Sequence, residues 1–168
     1  LYPDWQERVA DEARSVPLTT MAGLSGYGVT RDVFRETLRL YPPVPMMVRE
    51  CSQPEEFRKR ALKRRAQIVI SPWHLHRHAR LWDNPDGFDP GRWHTDNGQR
   101  CARSAFIPFS TGRRICSGAG FAMAEGVLLL SRLLRDIRVQ PVDGRVPVPQ
   151  AHLTVRSRDG IWLKIERR

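Results

Sequence analysis

Phe109-Ser110-Thr111-Gly112-Arg113-Arg114-Ile115-Cys116-Ser117-Gly118 is the stretch whose reading decides the fold. Gly112 permits a tight turn, arginines follow it, and Cys116 arrives just ahead of an apolar run that includes Phe121, Met123, Val127, Leu130, Leu133 and Leu134. The length of that run predicts a buried helix. A cysteine at a helix start lies beside free amide groups and the positive end of the helix dipole, and a neighbouring arginine adds charge. The sulfur is therefore favoured as a thiolate, able to bind iron. Taken alone, a cysteine there reads more readily as a small buried core residue, so the residues around it must separate the two readings.

Moving outward, residues 4–13 mix polar and apolar positions at helical spacing, and Pro17 with the glycines from 23 to 28 breaks the pattern. Thr30 or Asp32 is placed to cap a second helix carrying Val33, Phe34, Leu38 and Tyr41, which Pro42-Pro43 ends. That helix holds Glu36 and Arg39, two opposite charges on one face. Residues 44–48 and 67–71 read as strands. Residues 82–100, rich in Pro, Gly and Trp, read as a long irregular loop without a core of its own, and such loops are usually functional. Alternating Leu153, Val155, Ile161, Leu163 and Ile165 suggest a terminal hairpin turning at Asp159-Gly160.

The bulk numbers bound the rest. With 168 residues the chain suits one domain. Three widely spaced cysteines, Cys51, Cys101 and Cys116, form no paired motif, which favours a reducing compartment and the cytoplasm over a disulfide framework. No run reaches the roughly 20 apolar residues of a membrane span. The net charge of +10 comes almost wholly from arginine, since Lys59, Lys63 and Lys164 are the only lysines. Such a balance fits nucleic acid, anionic lipid or an acidic protein. His74, His76 and His78 alternate after Trp73, and polar packing explains them better than metal ligation.

The spacing Phe109-x-x-Gly112-x-Arg114-x-Cys116-x-Gly118 resembles the signature loop of the cytochrome P450 family, and chance supplies those five positions in a chain this long about one time in ten thousand or less. The resemblance implies a mainly helical (α+β) fold with small peripheral sheets, of which residues 1–168 form the C-terminal, proximal portion of a single domain whose N-terminal portion is absent. It implies haem b (iron protoporphyrin IX) with Cys116 as axial iron ligand, favouring O–O cleavage. Arg114, and Arg49 as a second candidate, would pair with haem propionates. Phe109 would shield the thiolate, while Gly112 allows the turn and Gly118 the close approach of helix to porphyrin. Glu36-x-x-Arg39 and the Arg92 of Phe88-Asp89-Pro90-Gly91-Arg92-Trp93 resemble the family's structural Glu–Arg–Arg network.

Two positions depart from the family: Gly91 stands where a polar residue is common, and residues 57–65 are strongly basic where a Gly- and Pro-rich turn is usual. By the same resemblance residues 44–48, Leu153 and Thr154 line a substrate pocket. The implied activity inserts one atom of O2 into a small organic substrate, with electrons from a ferredoxin, flavodoxin or reductase that Arg103, Arg113, Arg132 and Arg135 would steer. The 168 residues alone are not expected to catalyse it. Two other readings stand beside this one. They are an inactive haem-binding remnant, and a basic nucleic-acid-binding domain carried by charge alone, with no recognised motif.

Overall fold

In the computed structural model, which describes residues 2–16 and 21–168, helix α1 (Pro3–Ser15) starts on a proline at its first turn, where a missing N–H is harmless. The break expected at Pro17 lies outside the described residues. Residues Met21–Gly26 form a 3-10 turn, and helix α2 (Gly28–Leu40) follows. Neither Thr30 nor Asp32 caps it. The Glu12 carboxylate reaches across from α1 instead, accepting from the amides of Val29 (2.7 Å) and Thr30 (2.8 Å) and from the Thr30 hydroxyl (2.6 Å). A side chain seventeen or eighteen residues away thus satisfies the orphan donors of the first turn.

Four antiparallel pairs make up the sheet content among the described residues. Strand β1 (Met47–Glu50) begins three residues later than expected, because the chain through Pro42, Pro43 and Pro45 lacks ladder donors. The basic run forms a hairpin, β2 (Glu55–Phe57) with β3 (Arg60–Leu62), before β4 (Gln67–Ile70) returns to pair β1 with Val48 opposite Val69. A short helix α3 (Pro72–Leu75) follows, capped by Ser71.

Residues 82–100 are not a coreless loop. They contain a 3-10 turn (Pro90–His94) and the start of α4 (Asp96–Ser104), and Trp82 and Trp93 pack edge to face with Cys101 and Ala105 in a core of their own. Each indole also finds a carbonyl, Trp82 donating to Leu75 and Trp93 to Asp32. Buried aromatic area here replaces the regular periodicity that sequence patterns detect.

Helix α5 (Ala119–Asp136) is buried along one stripe only, at Val127, Ser131 and Leu134. That stripe meets Val9 and Val33 at one level and Ala13 and Tyr27 at the next. Phe121, Leu129 and Leu133 are exposed, so the helix expected to be buried from the length of its apolar run is covered on one side only. The C-terminal strands also pair differently than expected. Gly160 does turn the chain, with φ +79°, yet β7 (Val155–Ser157) pairs with β6 (Pro149–Ala151), and β8 (Leu163–Arg167) pairs with β5 (Ile137–Pro141).

Candidate functional site

The three cysteines are free, and they differ in access. Cys51 and Cys101 are buried, whereas Cys116 is exposed. Cys101 donates its thiol to the Leu81 carbonyl at 3.0 Å, and burial pushes its pKa up. A buried thiol held in this way is a poor ligand or nucleophile. The accessible thiol is therefore that of Cys116.

Hydrogen bonds shape the loop that carries it. The Cys116 amide donates to the Phe109 carbonyl at 2.9 Å and closes the loop at its base. Gly112 has φ +68°, a conformation that favours glycine, and nothing lies within 4 Å of where its Cβ would be. Gly118 precedes the first residue of α5, and a Cβ there would stand 3.8 Å from the Cys116 sulfur. The thiol thus rests at the mouth of an 18-residue helix, with exposed Ile115 and Phe121 on either side. Arg114 is exposed and has no ion pair among the described residues. Arg49 reaches from β1 to the loop, donating to the Ser110 hydroxyl at 2.8 Å. Phe109 is half-buried. An accessible soft sulfur, two nearby guanidiniums and apolar flanks are a donor set that fits an iron porphyrin with carboxylate edges.

Behind the loop lies a buried charge network. Glu36 accepts from Arg39 through both oxygens (2.8 and 3.0 Å), from Arg92 Nε (2.9 Å) and from the Asp89 amide (2.9 Å). The second guanidinium nitrogen of Arg39 serves the His76 and Pro85 carbonyls, and the third also serves Gly87, so all five donors are used. Arg92 holds the carbonyls of Asp83, Asn84 and Gly87. Two cations and one anion leave a net positive charge in a site with almost no solvent exposure, and the backbone carbonyl dipoles compensate it. The meander from Asp83 to Gly87 is thereby clasped to α2.

His76, passed over in the sequence except as polar packing, connects this network to the cysteine loop. It is fully buried, lies 3.2 Å through Nδ1 from the Arg39 carbonyl, and accepts from the Ile107 amide at Nε2 (2.9 Å). An amide can only donate, so Nε2 is unprotonated and the proton sits on Nδ1. Burial, more than the nearby Arg39 and Arg77 charges, lowers its pKa from 6.5 to about 4, so it is neutral at physiological pH. The Ile107 carbonyl then accepts from Ser110 at 3.1 Å, which completes a run of hydrogen bonds from α2 to the loop. Its only sequence signal was one histidine of three at alternate positions. His74 pairs with Ser71, His78 is exposed, and no group of three or more candidate metal ligands occurs among the described residues.

Two segments expected to line a substrate pocket do meet. The Val155 amide donates to the Pro43 carbonyl at 2.8 Å, and a cleft of about 170 Å³ opens between Pro45, Met46, Trp73 and Ala151. Leu153 does not line this cleft and is 90% exposed. A larger groove of about 640 Å³, lined by Tyr2, Leu130, Leu133 and Val139, lies by the C-terminal half of α5, about 20 Å along the helix from the cysteine. Arg132 and Arg135 share Asp136, and Arg103, Arg113 and Arg132 are exposed. No helix among the described residues is long and apolar enough to cross a membrane.

Comparison with known proteins follows this geometry closely. The family model described as Cytochrome P450 matches residues 1–164. Cytochrome P450 4A10 of Mus musculus and cytochrome P450 4A11 of Homo sapiens are each 36% identical over 171 residues, covering 99% of this chain and 33% of theirs. Retinoic acid-bound cyanobacterial CYP120A1 superposes with a TM-score of 0.89 at 27% identity, over 98% of this chain and 39% of that one. The chain spans about a third of the length of the curated relatives it matches.

Proposed function

The chain belongs to the cytochrome P450 family, and from that premise we propose that it forms the C-terminal, thiolate-supplying portion of a haem monooxygenase. The activity proposed for the whole protein inserts one oxygen atom of O2 into an organic substrate and reduces the other to water. The observation that carries this reading is Cys116, the one exposed thiol, presented by a glycine-turned loop at the start of α5.

Iron protoporphyrin IX, when bound, supplies dioxygen activation. The chain's own residues hold and tune it. Cys116 would supply its sulfur to iron as a thiolate, since coordination to the metal deprotonates a thiol outright. Arg114 and Arg49 pair with propionates, Phe109 limits water at the sulfur, and Gly112 and Gly118 keep the loop close. Glu36, Arg39, Arg92 and His76 touch no reacting atom; they position the loop. Free cysteines in all three positions favour a reducing, cytosolic setting. Electrons come from an acidic ferredoxin, flavodoxin or reductase domain, drawn to exposed Arg103 and Arg113.

Because the chain spans about a third of its relatives' length, these residues by themselves are proposed to be inactive. The test is heavy-isotope dioxygen labelling with a panel of apolar organic compounds and a surrogate ferredoxin system. The 168-residue chain alone is compared with the same chain joined to the N-terminal two-thirds of one of those relatives. Product carrying one labelled oxygen from the longer form alone supports the reading. Labelled product from neither, or product whose new oxygen is unlabelled because it came from water, opposes it.

A further inference from the structure

We propose that Asn97-Gly98 is a self-modification site, which converts to isoaspartate and aspartate when the segment around it opens and stays unreacted while the fold is closed. The chain has two asparagines, and Asn84 precedes Pro85, whose nitrogen has no proton to lose. After Asn97 the next nitrogen belongs to glycine, which has no side chain to hinder its approach. In the reaction the Gly98 nitrogen attacks the Asn97 Cγ. The new N–Cγ bond closes a succinimide, the Cγ–Nδ2 bond breaks, and ammonia leaves with the proton that the Gly98 nitrogen gives up. Water then opens the ring at either carbonyl, so water is the only reagent consumed. Asn97 is half-buried, within reach of solvent.

Packing explains why so labile a pair stands here. A Cβ on Gly98 would lie 1.9 Å from the Arg92 carbonyl oxygen, a backbone atom that cannot swing aside. Asn97 donates through Nδ2 to the Leu81 carbonyl (2.8 Å) and accepts through Oδ1 from the Asp83 amide (3.3 Å). An ionised aspartate has no proton for Leu81. Contacts that tie residues 81–83 to α4 thus select both members of the pair.

Those contacts also hold the reaction off. The Gly98 amide donates to the Thr95 hydroxyl at 3.1 Å, and that hydroxyl donates to the Arg92 carbonyl at 2.9 Å. The attacking nitrogen is therefore engaged, and both ends of the Asn97 amide are held by backbone. Asn97 lies in the first turn of α4, and ring closure requires it to leave its helical ψ. Three hydrogen bonds at about fivefold each suppress the reaction about a hundredfold in the closed chain. The product does not fit back. Isoaspartate carries the main chain through its side-chain methylene, lengthening the first turn of α4, and its carboxylate offers Leu81 no proton. Opening thereby leaves a lasting mark beside the segment that Arg92 clasps through Asp83, Asn84 and Gly87.

The full chain incubated at neutral pH, folded and in guanidinium chloride, then digested with trypsin for tandem mass spectrometry, tests the proposal. In the peptide Trp93–Arg100, amide-to-acid conversion at Asn97 should run about a hundredfold faster in denaturant than in the folded chain. Isoaspartate should be detected there by an isoaspartyl methyltransferase, while Asn84 stays intact in both samples. Thr95→Val removes the hydroxyl acceptor and should speed the reaction in the folded chain about fivefold, whereas Thr95→Ser keeps the acceptor and the parent rate. Equal rates in folded and denatured parent chain, or no conversion at Asn97 in denaturant, overturns the proposal whether or not the valine variant folds. So do equal rates for folded Thr95→Val and Thr95→Ser.

Discussion

His76 gives the sharpest quantitative test of how the fold supports the cysteine loop. In the unfolded chain its imidazole titrates near 6.5, and in the folded chain at about 4. Between those values the unfolded state binds the extra proton, so stability is complete above pH 6.5 and is lost as pH falls towards 4. The penalty is about 2 kcal/mol at pH 5 and levels off at about 3 kcal/mol below pH 4. Against a typical domain stability of about 5–15 kcal/mol, that is readily measured. The perturbation is His76→Asn, whose amide can donate to the Arg39 carbonyl but cannot accept from Ile107. At pH 7 it should cost about 1–3 kcal/mol for the unsatisfied amide. Urea denaturation followed by circular dichroism at pH 7 and pH 5 gives both numbers. Titrations common to both chains cancel in the difference, so wild type should lose about 2 kcal/mol more than the variant over that interval. Equal losses would refute the buried, neutral imidazole bridge.

Glu36→Gln should destabilise by about 3–5 kcal/mol, because two buried guanidiniums lose their only carboxylate; a thermal melt shifted by less than a degree would contradict the network. Glu12→Ala should cost about 1–2 kcal/mol by uncapping α2 from a distance, and hydrogen exchange should quicken at Val29 and Thr30 before it does elsewhere. Gly126→Ala places a Cβ 2.2–2.6 Å from ring carbons of Phe34, so overpacking of about 1–3 kcal/mol is expected. Adding Phe34→Leu should recover part of that loss, and a double-mutant cycle in urea shows whether the two positions couple.

What could be read from the chain beforehand was local. The Phe109–Gly118 spacing, the pair three residues apart at Glu36 and Arg39, and helices α1 and α5 each declare themselves within a few residues. Features set by distant partners did not. Glu12 caps a helix it does not belong to, and the C-terminal strands divide between two separate ladders although a turn joins them. The β2–β3 hairpin was hidden because its turns carry arginine and lysine where glycine would have announced them. The segment around Trp82 and Trp93 hid its core because its regularity lies in aromatic packing and arginine–carbonyl contacts rather than in a hydrophobic period. His76 illustrates the same limit at the site: only the folded chain places Arg39 and Ile107 on opposite edges of one ring.

Thiolate ligation of haem iron by Cys116 is the central claim, and a reduced, carbon monoxide-treated absorption spectrum tests it directly. The haem-loaded chain, joined to the N-terminal two-thirds of one of its relatives, is measured beside its Cys116→Ala form, with the 168-residue chain in parallel. In the haem-free 168-residue chain Cys116 is exposed, so the substitution itself should change that chain's stability by less than about 0.5 kcal/mol, and a spectral change in the haem-loaded form reports on ligation. The account predicts the red-shifted Soret band of thiolate-bound haem in the parent and its loss in Cys116→Ala. Absence of that band from the parent, or its survival without the Cys116 sulfur, would contradict it.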